Sequence, residues 1–196
     1  MSTLSKNISG QRIALLARTG QSFFHTDDLA VLLKIRNANT LRVLLHRLTA
    51  AGILYRVQRG LYSILPPEKM DPTLLGSACL HRFAYLTTES VLRDEGYILQ
   101  SGDAVTFVSD VSRRFDILGQ RIISRRVHSR FLHNQEGVQW NGEIFRALPE
   151  RAIADMLYFD PWYHFDRPVA WKKIRALQEH VGYPLTPQRY ADPASA

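Results

Sequence analysis

The chain has a single cysteine, Cys79, in 196 residues. It can form no internal disulfide and offers no thiolate cluster to a metal. No apolar run approaches the ~20 residues needed to cross a bilayer. The opening stretch, MSTLSKNISGQR, lacks the apolar core of a secretory signal. These absences predict a cytoplasmic protein with no membrane partner. The hydrophobic fraction of 45% is ordinary for a globular chain with a core of its own.

The parts of an active site are missing as well. The seven histidines show no HExxH or comparable ligand spacing, and neither a GxxxxGK[ST] loop nor a G-x-S-x-G elbow occurs. Cys79 and His81 stand two positions apart, where helical side chains do not face each other. Cys79 therefore reads as a buried structural residue. Gly76-Ser77 resembles the glycine–serine pair of nucleotidyltransferases, but no Asp-x-Asp follows to hold their metals. No nucleophile–base pair or metal constellation can be assembled. The expectation is a protein that is not an enzyme and uses no cofactor.

The scarcity that matters most is of acid in the first third. Residues 1–70 hold ten Lys/Arg against three acids, Asp27, Asp28 and Glu68. Residues 71–196 hold fifteen of each, so the first segment carries the whole formal charge of +7. Basic excess confined to one small segment points to a polyanion-binding module.

Within that segment, Ile13, Leu15, Leu16 and Ala17 predict a short helix ending near Thr19-Gly20. Phe23-Phe24 form a strand stub. Thr26 then caps a second helix, TDDLAVLLKI, with Asp27 and Asp28 at the positive end of its dipole. After the turn Ile35-Arg36-Asn37-Ala38, a third helix is capped by Asn39 or Thr40. Its core stripe is Leu41, Leu44, Leu45 and Leu48. Its opposite face carries Asn39, Val43, His46 and Ala50, flanked by Arg42 and Arg47, and Gly52 ends it. A hairpin pairs Ile53–Val57 with Leu61–Leu65 around a tip of Gln58, Arg59 and Gly60.

Helix, stub, helix, turn, helix and basic hairpin make a winged helix-turn-helix domain over residues 1–67. The third helix is expected in the major groove of operator DNA, an inverted repeat being one form of that partner. Candidate DNA-binding residues are Arg36, Asn37, Asn39, Thr40, Arg42, Val43, His46, Arg47, Arg56, Gln58 and Arg59. Two alternatives stand beside this reading. Winged helices also dock proteins, and Arg42 and Arg47 have Asp27 and Asp28 as alternative partners.

Pro66-Pro67 and Asp71-Pro72 mark a boundary. A small α+β domain follows over residues 71–160, so the fold class is α+β. Helices are expected at Thr73–Leu80, around Thr88–Leu92, and at Pro149–Phe159, where Pro149 suits a first turn. Strands are expected at Tyr97–Leu99, Ala104–Val108, Arg121–Val127 and Gly142–Ala147. Arg121 and Arg125 share one strand face with Ile123 between them. With Arg126 they are candidates for binding a partner, the alternative being a strand edge protected by charge. A C-terminal helical tail occupies 161–196. Trp171, Ile174, Leu177 and Val181 fall at helical spacing there, a pattern for packing on the core, with an interaction helix as the alternative.

Three segments together carry a family resemblance: HTDDLAVLL with LRVLLHRLTAAGILYRVQRGLYSI, then LTTESVLRDEGYILQ, then GEIFRALPERAIADMLYF. In this order they resemble AbiEi-type antitoxins of bacterial abortive-infection (type IV toxin–antitoxin) systems. The last is similar to that family's strand followed by an "ERA-x-x-D" helix, here Glu150, Arg151, Ala152 and Asp155. The resemblance runs over roughly residues 10–160. It implies an antitoxin that represses its own operon and neutralises a cognate nucleotidyltransferase-like toxin, with the two activities in different domains. A winged-helix regulator or interaction adaptor without a toxin partner is the alternative.

Overall fold

Leu41, Leu45 and Leu48 lie on one side of a helix at Ala38–Ala50 and are each no more than 4% exposed. Around them the first of two compact units, Met1–Cys79, assembles; the second is Leu80–Ala196. The structure is a computed structural model that describes residues 12, 14–99 and 102–187. Ile13 and the last nine residues of the expected tail lie outside the described residues.

In the first unit, helical residues 14–18 precede β1 (Phe23–His25), α1 (Thr26–Leu32) and α2 (Ala38–Ala50). The hairpin β2 (Tyr55–Gln58) and β3 (Leu61–Ser63) follows, then a 3-10 turn at Pro67–Lys69 and α3 (Pro72–Leu80). The three strands form one antiparallel sheet in the order β1-β3-β2. Leu16, Phe24, Leu29, Leu33 and Leu54 join the α2 leucines in a continuous apolar cluster. Leu44, expected in the core stripe, is half-buried against it. Truncating Leu45 to alanine should cost about 2–5 kcal/mol, read from urea unfolding. A loss under 1 kcal/mol would show that this helix face is not the core.

Both helix caps differ from expectation. The cap of α1 is His25, whose N–H donates to the Asp28 carboxylate at 3.1 Å. Thr26 is drawn away to the hairpin and donates its N–H and hydroxyl to the Gly60 carbonyl, at 2.9 and 3.2 Å. The cap of α2 is Asn37, whose side chain accepts from the Thr40 N–H at 2.9 Å. The helix thus starts a residue ahead of Asn39, at Ala38.

In the second unit the chain runs β4 (Ala84–Leu86), α4 (Glu89–Asp94), β5 (Val105–Ser109), β6 (Arg113–Ile117) and β7 (Gln120–Arg126). It continues through α5 (Ser129–Leu132), β8 (Val138–Trp140), β9 (Phe145–Ala147), α6 (Pro149–Phe159) and α7 (Trp171–Val181). Six strands form a mixed sheet in the order β6-β7-β5-β4-β9-β8. The β5–β7 and β4–β9 pairs are parallel and the others antiparallel.

The strand expected at Tyr97–Leu99 is absent. Tyr97 and Ile98 donate their N–H groups back to the Leu92 carbonyl, closing α4. The Leu99 N–H goes to the Asp166 carboxylate at 2.7 Å, so no ladder partner is left for it. The strands β4, β6 and β8 form from segments with no strand period of their own in the sequence. α7 buries Ile174, Gln178 and Val181 and belongs to this unit.

The centre of the second unit is polar. Arg151 and Asp155, from the helix similar to the "ERA-x-x-D" segment, are both fully buried and pair at 2.9 Å. The Arg151 guanidinium donates to the carbonyls of Phe131, Asn134 and Glu136 and to the Tyr85 hydroxyl. Asp155 accepts from Thr87 at 2.7 Å and from Tyr183 at 2.7 Å. All five N–H donors of the Arg151 guanidinium are thus used and both Asp155 oxygens accept, the condition for such a buried pair to be tolerated.

The backbone is shaped around it. Gly137 has φ +71°, and a Cβ there would lie 2.8 Å from the Arg151 Cβ. Gly137→Ala combines left-handed strain with that clash and should cost at least about 1–2 kcal/mol, measured by denaturant unfolding. Unchanged stability would mean that the Gly137 loop is free to move off Arg151.

Candidate nucleic-acid interface

With its leucines turned inward, α2 turns Asn39, Thr40, Arg42, Val43, His46 and Arg47 to solvent. The helix has 13 residues, about 20 Å at 1.5 Å per residue, long enough to cross a DNA major groove. Arg36 is exposed in the turn before it, and Arg56 and Arg59 are exposed on the hairpin. Gln58 is half-buried, and Gly60 turns the tip at φ +81°, a conformation that costs glycine nothing. The bond from Thr26 to the Gly60 carbonyl anchors the tip to the start of α1. Hairpin and helix are thereby held in one unit.

Among the described residues, Arg36, Arg42, Arg47, Arg56 and Arg59 form no ion pair. The pairing of Arg42 or Arg47 with Asp27 or Asp28 does not occur, and Asp28 is taken by the His25 N–H. The second unit is mixed: Arg113, Arg114 and Arg130 are exposed and lie outside every ion pair of the described residues, while other arginines are paired. There Arg82 pairs with Asp110 at 2.7 Å, Arg146 with Asp94 at 2.9 Å, and Arg125 with Glu89. A cluster of like charges with no ion pair among the described residues repels itself and attracts an anion. The first unit holds such a cluster on one helix and one hairpin.

Two expected residues have other duties. Asn37 and Thr40 bond to each other in the α2 cap, which occupies the Asn37 carbonyl oxygen. One residue was missed. Arg12 lines a shallow depression of about 400 Å³ together with Asn39, Thr40, Val43 and Arg47. Its sequence neighbours gave no signal, because only folding brings the leading helix beside α2.

The second candidate group is divided. Arg121 and Arg125 share a face of β7, but Arg126 lies on the opposite face. Arg125 is held by Glu89 and lies over the Phe159 ring at 5.4 Å. Arg121 is exposed and makes a loose contact with Asp116 at 3.4 Å. On its side of the sheet, β6 contributes exposed Arg114, opposite Ile123.

Among the described residues no group of three or more His, Cys, Asp or Glu is placed to hold a metal. No described helix is long and apolar enough to cross a membrane. No protein-family model and no curated protein matches the sequence. Among solved structures, the crystal structure of the RV2827C protein from Mycobacterium tuberculosis is similar, with a TM-score of 0.56 and 14% sequence identity. The match covers 91% of this chain and 72% of that chain. The likeness is one of fold alone. It spans nearly the whole chain, both units included.

Proposed function

We propose that the first unit is a winged helix-turn-helix domain that binds double-stranded DNA, and that the protein is a cytoplasmic antitoxin repressing its own operon. The observation that carries the DNA-binding reading is the set of five exposed arginines on α2, its preceding turn and the hairpin that form no ion pair among the described residues. In this reading α2 enters the major groove and the hairpin is a wing laid along the phosphates. Arg56 and Arg59 contact the backbone, while Arg42 and Arg47 reach base edges, where arginine binds guanine in a bidentate way. The antitoxin half rests on the AbiEi resemblance, which assigns neutralisation of a nucleotidyltransferase-like toxin to the second unit.

The test is the salt dependence of duplex binding by the full chain. The two or three arginines left for phosphates predict a log–log slope of about −2 to −3. Affinity should then fall by about 10- to 50-fold between about 50 and 200 mM salt. Weak binding that ignores salt would end the DNA reading. Arg59→Ala should weaken binding to specific and random duplexes alike and flatten the slope by about one. A loss confined to one sequence would move Arg59 from backbone contact to base readout.

A further inference from the structure

α2 carries a second pattern on its exposed face. Asn39, Val43 and Arg47 are spaced by four and so form one ridge along the helix. All three are exposed and border the same depression. Val43 stands in the middle with 46% of its surface exposed. The core needs nothing from it, since Leu41, Leu45 and Leu48 fill that role. An amide, an apolar methyl pair and a guanidinium in a row match three base-edge chemistries. Asparagine pairs with adenine N6 and N7, an aliphatic group packs on the thymine methyl, and arginine forks onto guanine O6 and N7.

The amide is available for this. Among the described residues the Asn39 side chain makes no hydrogen bond, whereas its neighbour Asn37 is used in the cap. The spacing also fits. Eight residues of helix advance about 12 Å, which is about three to four base pairs at 3.4 Å each.

We infer that the Asn39–Val43–Arg47 ridge reads an adenine, a thymine and a guanine in turn, at intervals of about two base pairs, with Val43 recognising the thymine by its C5 methyl. This rests on the DNA-binding reading and adds a thymine-specific contact to it. Exposed valines are common by themselves, and α1 supplies the control in Val31, which is 77% exposed. Val31 lies outside the ridge.

The experiment selects binding sites for the full chain from a randomised duplex pool. Each thymine of the winning site is then replaced by deoxyuridine, which lacks only the methyl group. One thymine-to-uridine change should weaken wild-type binding about fourfold, the effect of one buried methyl. Val43→Ala should bind the thymine and uridine duplexes alike, while Val31→Ala keeps the wild-type penalty. Alanine at an exposed helical position favours the helix, so the Val43 variant is expected to stay folded. Asn39→Ala and Arg47→Ala should relax the preference for adenine and guanine at the positions about two base pairs to either side of that thymine. Salt-dependent binding with no uridine penalty, or a penalty that survives Val43→Ala, overturns this inference and leaves the DNA reading intact. Absence of salt-dependent binding overturns both.

Discussion

Asp155→Ala should remove about 3–5 kcal/mol of stability, a large share of the roughly 5–15 kcal/mol that holds a domain folded. The substitution leaves the Arg151 guanidinium buried at 0% exposure without its counter-ion. It also strips the Thr87 and Tyr183 hydroxyls of their acceptor. Chemical denaturation of the full chain, followed by tryptophan fluorescence, reads the loss. Replacing both partners, Arg151→Met with Asp155→Leu, should be milder than the single change, because no uncompensated charge remains. Equal damage from the single and double variants would mean that the cluster acts through shape and not charge.

The same cluster sets an alkaline limit. Burial, and then the nearby Asp155 charge, pushes the hydroxyls of Tyr85 and Tyr183 well above the ordinary tyrosine range. In the unfolded chain both ionise near pH 10. Above that pH the unfolded state sheds protons that the folded state must keep, so stability falls as pH rises. Each tyrosine removes up to about 1.4 kcal/mol per pH unit. Tyr183→Phe should halve the slope while costing stability at neutral pH.

Arg42→Ala combined with Arg47→Ala should abolish specific operator binding, by at least about thirtyfold if each arginine contributes 1–3 kcal/mol of base recognition. Neither side chain forms an ion pair within the described structure, so the double variant should unfold at the wild-type denaturant concentration. Its effect in cells separates the two halves of the proposed function. If the second unit neutralises a nucleotidyltransferase-like toxin by contact, this variant still rescues cells making that toxin. Arg114→Glu with Arg121→Glu, on one exposed face of β6 and β7, should then impair rescue and spare operator binding. Arg125 is unsuited to the test, since reversing it would set two carboxylates together at Glu89. Loss of rescue in the Arg42/Arg47 variant would instead place protection in silencing of the operon.

The sequence by itself determined the elements whose signals are local. The spacing of Leu41, Leu45 and Leu48 put one face of α2 inward and thereby put Asn39, Val43 and His46 outward. Pro149 marked the first turn of α6, and Trp171 through Val181 read as a helix because its apolar positions recur at helical period. Charge was legible too, because counting needs no geometry: the +7 of residues 1–70 includes the exposed arginines of α2 and the hairpin.

What tertiary structure decided was which of these charges stay available. Arg42 and Arg47 had acids within the same segment, and Arg121 and Arg125 had a strand to share. Only packing showed the first two without ion pairs and Arg125 locked to Glu89 from α4. The short strands β4, β6 and β8 were hidden for the same reason. Runs of three to five residues carry no period of their own, and they become strands because a neighbouring ladder satisfies their backbone. Arg151 gives the sharpest case. In sequence it is one more surface arginine at i to i+4 from an aspartate. In the fold it is wholly buried, since three backbone carbonyls, a tyrosine and Asp155 converge on it from distant parts of the chain.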